Sequence, residues 1–365
     1  MTKDDLPPVE EVPAAHLEGR ELGNGWSVGA RITKDPGATG GCFSISYLAV
    51  HEDGTEAFMK ALNFHAAVGP GPVVDRLKDF TSAFVFERDL LADCGDRKMS
   101  HIIKMIDNGQ LTVPQAGPLL SEVPYLIFEL ADGDIRAFQA RSSELDCAWA
   151  FRVMKHSLEG LGQLHASHAA HQDLKPSNVL TQDNGMEMKL GDLGRAERRG
   201  VDGPCSELPI PGAVTYAPTE QLYGAFDRSW EQRRAGDLYL AGSLGAQLFV
   251  GHCMSALILT ELSPEFRPDH WTGTYGGVLP YLGNAHNAAI AMIEQVVAEK
   301  AGEKQTAEQF ATAIAQMTNP DLDRRGHPRD RAAATSSFWV QRYVSLMDLL
   351  SQRAHYRSFR ERLRG

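Results

Sequence analysis

The 365-residue chain has few cysteines, and none has the spacing that zinc sites use. Its five cysteines stand at positions 42, 94, 147, 205 and 253, an odd number without a CxxC pair. This usage predicts reduced thiols in a cytoplasmic protein, without a zinc site. The apolar core of a signal peptide is also missing, because acids and prolines interrupt the first twenty residues.

Excess positive charge is missing as well. The 36 lysines and arginines are outnumbered by 47 acidic residues, which gives a formal net charge of -11. Such a balance argues against a general binder of nucleic acid or of anionic membranes. With 43% hydrophobic and 23% charged residues, the chain has the composition of a globular protein with a substantial core.

Charged residues are absent from residues 238–260, a stretch long enough to cross a bilayer. Polar residues such as Tyr239, Ser243 and Gln247 interrupt it, and no positive cluster flanks it. A helix that is apolar all round can equally be the buried centre of a large domain. We expect the buried helix, and a membrane span is the alternative.

Two short polar motifs carry chemistry: HQDLKPSN, which begins at His171, and GDLG, which begins at Gly191. Asp173 can accept the proton of an incoming hydroxyl, and Lys175 can lie against transferring phosphate charge. Asn178 and Asp192 can hold the magnesium ions that bridge the phosphates. These residue types, so close in sequence, predict transfer of a phosphoryl group.

The motifs resemble the HRDLKPxN catalytic loop and the DFG metal loop of the eukaryotic-type serine/threonine protein kinases. The first differs at Gln172, where the family has arginine, and the second at Leu193, where it has phenylalanine. The resemblance implies an α+β bilobal fold, with a small antiparallel β-sheet lobe and a larger, mainly helical lobe. It also implies ATP and Mg²⁺ between the lobes, and a serine or threonine of a protein as the substrate.

Four regions are expected along the chain. Residues 1–24 predict an acidic, proline-bearing tail with little structure, and residues 25–131 an N-lobe and hinge. Residues 132–330 predict a C-lobe, and residues 331–365 an amphipathic helix with a basic end. The apolar side of that helix combines Trp339, Tyr343, Leu346, Met347 and Leu350. It either packs on the large lobe or docks a partner or an acidic surface.

Three alternating runs, residues 26–32, 42–50 and 56–62, predict antiparallel strands. The turn before the second run is rich in glycine, so that its backbone amides can approach phosphate oxygens. It resembles the glycine-rich loop of the kinases imperfectly. Its glycines that we assign to nucleotide binding are Gly37, Gly40 and Gly41.

Lys60 lies where the family has the lysine that pairs with the α- and β-phosphates of ATP. A helical run follows in residues 73–94, and its Glu87 is the predicted partner of the lysine, with Glu56 as a competitor. Such a pair orients the ammonium toward phosphate.

Further members of the nucleotide site follow from the resemblance. Phe128 corresponds to the gatekeeper, Glu129 and Ala131 belong to the hinge, and Leu180 follows the catalytic loop. Asp134 either contacts a ribose hydroxyl or caps the next helix, and capping is the commoner role.

Two residues of the small lobe depart from the family pattern. Phe58 replaces a small alanine above the adenine ring, and Ser46 replaces a valine. The Phe58 ring either fills the nucleotide pocket or is accommodated by the small Ser46, since cores tolerate swaps that keep total volume.

Residues 195–211 resemble an activation segment, and GAVTYAPTE, residues 212–220, resembles its closing motif. Ala213 replaces a threonine that contacts the catalytic loop in the family. In the family the arginine at position 172 contacts a phosphate on this segment, and neutral Gln172 cannot. We therefore predict activity that does not depend on phosphorylation of Ser206 or Thr215.

Structural roles are implied for a few more residues. Asp237 corresponds to the aspartate that anchors the catalytic-loop backbone, and Glu220 is expected to pair with Arg324 or Arg325. His165 and His171 match structural histidines of the family, so a metal site with His168 is rejected. Two rival functions stay open: a pseudokinase scaffold, favoured by Phe58, Ser46 and Ala213, and a small-molecule phosphotransferase.

Overall fold

The computed structural model describes residues 12–33, 44–64, 73–113, 121–333 and 338–363. The chain divides into two compact units: Met1–Lys98 with Ile103–Ala131, and Met99–Ile102 with Asp132–Gly365. The first is built on a β-sheet and the second is mainly helical, which confirms the predicted α+β class. The predicted phosphate-loop residues Gly37, Gly40 and Gly41 lie outside the described residues.

A five-stranded antiparallel sheet forms the first unit, in the order β1-β2-β3-β5-β4. Its elements are β1 (Trp26–Ile32), β2 (Ser44–His51), β3 (Glu56–Leu62), α1 (Val73–Asp96), β4 (Met105–Thr112) and β5 (Glu122–Glu129). Alternation sets the two faces of the sheet, because successive side chains of a strand point to opposite sides. In β3, Ala57, Met59 and Ala61 are buried in the core, whereas Phe58 and Lys60 lie on the other face.

The N-terminal segment covers the core face of this sheet. Val12, Ala14 and Leu17 are buried against strand residues, and the Tyr47 hydroxyl donates a hydrogen bond of 2.7 Å to the Ala14 carbonyl oxygen. The prediction of a tail with little structure is therefore wrong for residues 12–24. The prolines and acids of this segment dominate its composition, although it also contains three apolar side chains. These pack on the core face of the sheet, which would otherwise be exposed to water.

The second unit contains the catalytic motifs. Its elements are β6 (Gly133–Asp134), α2 (Ile135–Gln139), α3 (Cys147–Ala166), β7 (Ala169–Ala170), β8 (Val179–Gln182), β9 (Glu187–Leu190), β10 (Glu197–Arg198), α4 (Thr219–Leu222), α5 (Trp230–Val250), α6 (Met254–Glu261), α7 (Tyr275–Ala301), α8 (Lys304–Met317), α9 (Pro328–Ala332) and α10 (Gln341–Arg362). Strands β6, β8 and β9 form one small sheet, and β7 and β10 form another.

Helix α5 is the central helix of this unit. It begins after Ser229, whose hydroxyl accepts from the Gln232 amide, and ends at Gly251 with a φ of 84° that favours glycine. The uncharged stretch 238–260 thus runs through α5 and α6, which meet at a bend of 77°. Among the described residues no single helix is long and apolar enough to span a membrane. The bent pair of α5 and α6 would be, by length and composition alone. In the second unit most of α5 is buried, as predicted.

Helix α10 packs along α3. Tyr343, Met347 and Leu350 are buried, and the Ser351 hydroxyl donates to the Ala148 carbonyl oxygen over 2.8 Å. The prediction that Trp339 belongs to the apolar side of this helix is wrong, because Trp339 precedes the helix and is 55% exposed. Packing, the first alternative for this helix, is therefore observed, and docking of a partner stays a prediction.

Truncation of Leu17 to alanine should lower the free energy of opening of the first unit by about 2–5 kcal/mol, because a fully buried leucine leaves a cavity. Hydrogen exchange of the β2 amides measures this opening. Leu22→Ala, at a partly buried leucine of the same segment, is the control and should cost clearly less. Equal effects of the two substitutions would contradict a structural role of the segment.

Candidate active site

The catalytic loop is held by one buried carboxylate. Asp237 of α5 accepts hydrogen bonds from the amides of His171 (2.8 Å) and Gln172 (2.7 Å). It also accepts from His165 Nε2 over 2.8 Å and from Gln172 Nε2 over 3.0 Å. Burial raises the pKa of Asp237, but the hydrogen bond and charge of His165, together with His171 and the Gln172 amide, outweigh it and lower the pKa. The predicted anchoring role of Asp237 is confirmed.

This anchor stabilises a strained backbone. Gln172 has a φ of 62°, a left-handed conformation that costs a residue with a side chain roughly 1–2 kcal/mol. Its amide and its side-chain nitrogen both donate hydrogen bonds to Asp237, and the side-chain nitrogen also donates to the Arg233 carbonyl oxygen over 2.8 Å. The strain is thereby offset, and the next residue, Asp173, is fixed in place.

Asp173 is buried, and its carboxylate oxygens accept three hydrogen bonds. The Ala213 amide donates to Oδ1 over 2.8 Å, and Lys175 Nζ donates to Oδ2 over 2.7 Å. Asn178 Nδ2 donates to the Asp173 carbonyl oxygen (2.8 Å) and more weakly to Oδ2 (3.3 Å). The structure thus brings together Asp173, Lys175 and Asn178, as the sequence predicts, and it adds a backbone donor from the closing motif.

The Ala213 amide keeps a contact with the catalytic loop at the position where the family has a threonine. Position 213 contacts the catalytic loop through its backbone, so this contact needs no side-chain hydroxyl. The neighbouring Gly212 allows the approach, because a Cβ there would overlap the Gln172 carbonyl oxygen and lie 3.0 Å from Asp173 Oδ1. The sequence does not reveal this contact, since almost every residue has a backbone amide.

The two motifs of the second unit are tied together by His171. Its Nδ1 accepts from the Asp173 amide over 3.3 Å, so its Nε2 carries the proton and donates to the Gly191 carbonyl oxygen over 3.2 Å. The Gly191 amide in turn donates to the Asn178 carbonyl oxygen over 2.9 Å. The structural role expected of His171 is to hold the metal loop against the catalytic loop.

Asn178 and Asp192 fit a magnesium ion by the chemistry of their donors. Because Asn178 Nδ2 points at Asp173, its Oδ1 faces the other way, where it accepts from the Ser177 hydroxyl over 3.2 Å. Asp192 is exposed and has a φ of 58°, at the start of a tight turn. An amide oxygen and a carboxylate are ligands that Mg²⁺ prefers.

In the first unit Lys60 and Glu87 form the predicted pair. Lys60 Nζ lies 2.9 Å from Glu87 Oε1 and 3.0 Å from Oε2, and the Glu87 side chain is 8% exposed. Glu56, the competitor, pairs in register with Val50 at the start of β3. Glu87 of α1 is therefore the partner of the lysine.

Phe58 and Ser46 lie on the same face of the sheet as Lys60. Phe58 pairs in register with Phe128, and their ring centroids are 6.3 Å apart. Leu48 lies opposite Phe58 on β2, and the buried Ser46 lies opposite Lys60. Ser46 is thus a diagonal neighbour of Phe58, and a diagonal pair lies within reach of an aromatic side chain.

The hinge residues have their own contacts. Glu129 ends β5, where its amide donates to the Lys104 carbonyl oxygen over 3.0 Å, and Ala131 is the last residue of the first unit. Asp134 caps α2 by accepting from the amides of Arg136 and Ala137, as the commoner role predicts. Leu180 is half-buried in β8, opposite Asp134.

The closing motif is anchored at Glu220. Arg325 donates to both carboxylate oxygens over 2.7 Å, and neither side chain is exposed. Arg324, the alternative partner, lies 3.4 Å from Asp321 instead. Loss of one partner would leave a buried charge and cost roughly 3 to 5 kcal/mol.

Two clusters were not found from the sequence. Glu197 of β10 is buried beside Arg233 and Ser206, and nothing in the pattern RAERR marks an acid as buried. His101, His156 and Glu159 bring potential metal ligands within 4.8 Å of one another.

The hydrogen bonds of the histidine cluster argue against a metal there. His156 Nδ1 accepts from the Met188 amide, so the proton of the neutral ring is on Nε2 and leaves no lone pair. Burial, together with the charge of His101, lowers the pKa of His156 to about 4, which keeps the ring neutral.

Protein kinases use residues of the same types: a Lys–Glu pair like that of Lys60, and an aspartate, lysine, asparagine and aspartate like those of the catalytic and metal loops. The protein kinase domain family matches residues 41–261, more than half of the chain. The chain therefore belongs to the protein kinase family.

Individual relatives are serine/threonine and cyclin-dependent kinases. The probable serine/threonine-protein kinase pknA2 of Bifidobacterium longum is 24% identical over 244 residues, 66% of this chain and 28% of the relative. Cyclin-dependent kinase G1 of Arabidopsis thaliana is 33% identical over 131 residues, 34% of this chain and 19% of the relative. Cyclin-dependent kinase 7 of Dictyostelium discoideum is 36% identical over 104 residues, 28% of each protein. This chain thus spans less than a third of the length of each relative.

Replacing Ala213 by proline should lower kcat of phosphate transfer by about 10²-fold, because proline has no amide hydrogen for Asp173. The φ of -76° at this position suits proline, so the substitution acts mainly on the hydrogen bond. Ala213→Thr keeps the amide and is the matched control, with activity within a few-fold of the parent. Steady-state kinetics measures both, and a fully active proline variant would show that the amide does not position Asp173.

Proposed function

We propose that this chain is an ATP-dependent protein kinase that transfers the γ-phosphoryl group to serine or threonine hydroxyls of proteins. The observation that carries the proposal is the buried Asp173, held by Lys175, Asn178 and the Ala213 amide. A carboxylate fixed in this way can orient a hydroxyl and accept its proton without a large rearrangement.

Each polar residue has a place in the reaction. Asp173 orients the incoming hydroxyl and takes its proton, while Lys175 offsets negative charge on the transferring group. Lys60, oriented by Glu87, holds the α- and β-phosphates. Asn178 and Asp192 would hold magnesium, which would neutralise charge on the phosphates.

Two other functions explain part of the same chain. A pseudokinase scaffold is favoured by the Phe58 ring on the face of Lys60, but the complete set of catalytic polar residues opposes it. A small-molecule phosphotransferase is disfavoured by Lys175 and by the closing motif, residues 212–220. Nucleotide binding by calorimetry separates the scaffold from the kinase, and the chemical nature of the labelled product separates the two transferases.

Phosphate transfer from labelled ATP with magnesium, to the protein itself and to a generic basic protein, tests the proposal. We expect label in the parent protein and a loss of about 10²–10⁴-fold in Asp173→Ala, because the general base is removed. Lys60→Met should also lose label, since the phosphates are no longer held. Glu56→Gln is the control at the competitor position and should retain activity.

The outcomes separate the three functions. Label lost in both variants supports a kinase. No label in a folded parent that fails to bind nucleotide indicates a scaffold with Phe58 in the nucleotide pocket. Label that appears in metabolites and in no protein indicates the small-molecule transferase.

We also propose that activity does not require a phosphate on the activation segment. Gln172 supports this, because its side-chain nitrogen is engaged with Asp237 and the Arg233 carbonyl oxygen and it carries no positive charge.

Phosphatase-treated protein, with its mass checked for the absence of phosphate, should therefore transfer label at its full initial rate, without a lag. Thr215→Ala, which removes an exposed hydroxyl from the segment, should keep that rate. A lag that disappears after preincubation with ATP would show that segment phosphorylation is needed.

A further inference from the structure

A buried acid lies behind the activation segment. Glu197 is 1% exposed and belongs to β10. This strand pairs with β7, which immediately precedes the catalytic loop in the chain. Burial raises the pKa of Glu197, while the hydrogen bond of Ser206 and the charge of Arg233 oppose this rise. A carboxylate removed from water in this way depends on its few partners.

Ser206 is the hydrogen-bond donor to this acid. Its hydroxyl donates to Glu197 Oε2 over 2.6 Å and accepts from the Gly203 amide over 2.7 Å. The Ser206 carbonyl oxygen accepts from Arg233 Nη2 over 3.1 Å. One residue thus closes a short turn of the segment and ties it to both β10 and α5.

Arg233 completes the cluster. Its Nε donates to the Arg228 carbonyl oxygen over 3.2 Å, and its Nη1 lies 3.7 Å from Glu197 Oε1. In the described part of the chain, neither Arg233 Nη1 nor Glu197 Oε1 has a hydrogen-bond partner. Through its own carbonyl oxygen Arg233 also accepts from Gln172, next to Asp173. The cluster of Ser206, Glu197 and Arg233 therefore links the segment to the catalytic loop.

We propose that this cluster holds the activation segment closed through the unmodified hydroxyl of Ser206, and that Ser206 is a modification site at which phosphorylation opens the segment and lowers activity. The effect on activity rests on the kinase function proposed above. The opening of the segment does not, because it follows from the charges of the cluster alone.

The charges set the direction of the effect. A phosphate on Ser206 replaces a donor by acceptor oxygens and adds about -1.5 to -2 charges beside the Glu197 carboxylate. Arg233 is the one cation of the cluster, and the nearby Asp202 adds further negative charge, whereas the nearby Glu207 is paired with Arg228 over 2.9 Å. Repulsion between the phosphate and Glu197 thus opposes the closed segment. In the kinase family, by contrast, a phosphate on the segment is bound by an arginine, which favours the closed form.

The transfer itself balances as an ordinary kinase reaction. The Ser206 oxygen forms a bond to the γ-phosphorus of ATP as the bond to the bridging oxygen breaks, and ADP leaves. The hydroxyl proton goes to the general base of the transferring kinase. Since the hydroxyl is engaged in the closed segment, phosphate is added to the open form and traps it.

Hydrogen exchange of the amides of residues 197–213, read by mass spectrometry, tests the cluster directly. We expect Ser206→Asp to speed exchange at least tenfold and Ser206→Ala by a smaller factor, because the alanine loses one hydrogen bond without adding charge. Thr215→Asp is the matched control, since it puts the same charge at an exposed position of the closing motif. Unchanged or slower exchange in Ser206→Asp would overturn the proposal.

A second substitution distinguishes charge repulsion from damage to the fold. Adding Glu197→Gln to Ser206→Asp removes the buried charge and supplies an amide donor, so exchange should return to within about threefold of the parent. Glu197→Gln alone should exchange nearly as the parent does, because its amide oxygen still accepts from Ser206. Failure of the double variant to recover would show that repulsion is not the cause.

Phosphate transfer gives the functional readout. Ser206→Asp should lower kcat/KM at least tenfold, whereas Thr215→Asp should leave it within twofold. A Ser206→Asp variant with raised activity would contradict the proposal. A parent protein without transferase activity would instead overturn the proposed kinase function, and the exchange comparison would still decide whether charge at Ser206 opens the segment.

Discussion

The Asp237 carboxylate is the interaction on which the catalytic part of this chain depends. It is fully buried, and its two oxygens accept from two backbone amides, the His165 ring and the Gln172 side chain. Hydrogen bonds to a charged acceptor are strong, and this set is strong enough to keep Gln172 in a left-handed conformation. Because Asp173 is the next residue, the position of the proposed general base follows from the Asp237 carboxylate on α5.

Backbone groups and neutral side chains do much of the positioning in this member of the kinase family. An amide of residue 213 contacts Asp173 where the family uses a threonine, and Gly212 allows the close approach. Gln172 replaces a cation and turns inward to α5. The segment is tied instead by Ser206 and Arg233 around a buried acid. These contacts support the proposal of a segment that is ordered without added phosphate.

Local sequence was sufficient for most elements of the first unit. Strong alternation predicted β1 and β3 at their observed bounds, because each strand has one buried face. The same approach failed for residues 12–24, where prolines and acids dominate and the apolar side chains are few. Their burial depends on the open core face of a sheet whose strands come later in the chain, and no local pattern reports that face.

The sequence by itself determined the family and the pairing of Lys60 with Glu87, and it predicted Asp173, Lys175, Asn178 and Asp192 as site residues. It could do so because these residues sit at fixed offsets within short motifs or along one helix. Only the tertiary structure decided that Arg325 rather than Arg324 meets Glu220, that an amide holds Asp173, and that Glu197 is buried against Ser206 and Arg233. Each of these contacts joins segments distant in the chain or uses a backbone group. Each is enforced because a buried polar group without a partner is costly, and a linear pattern of residues does not encode which groups become buried.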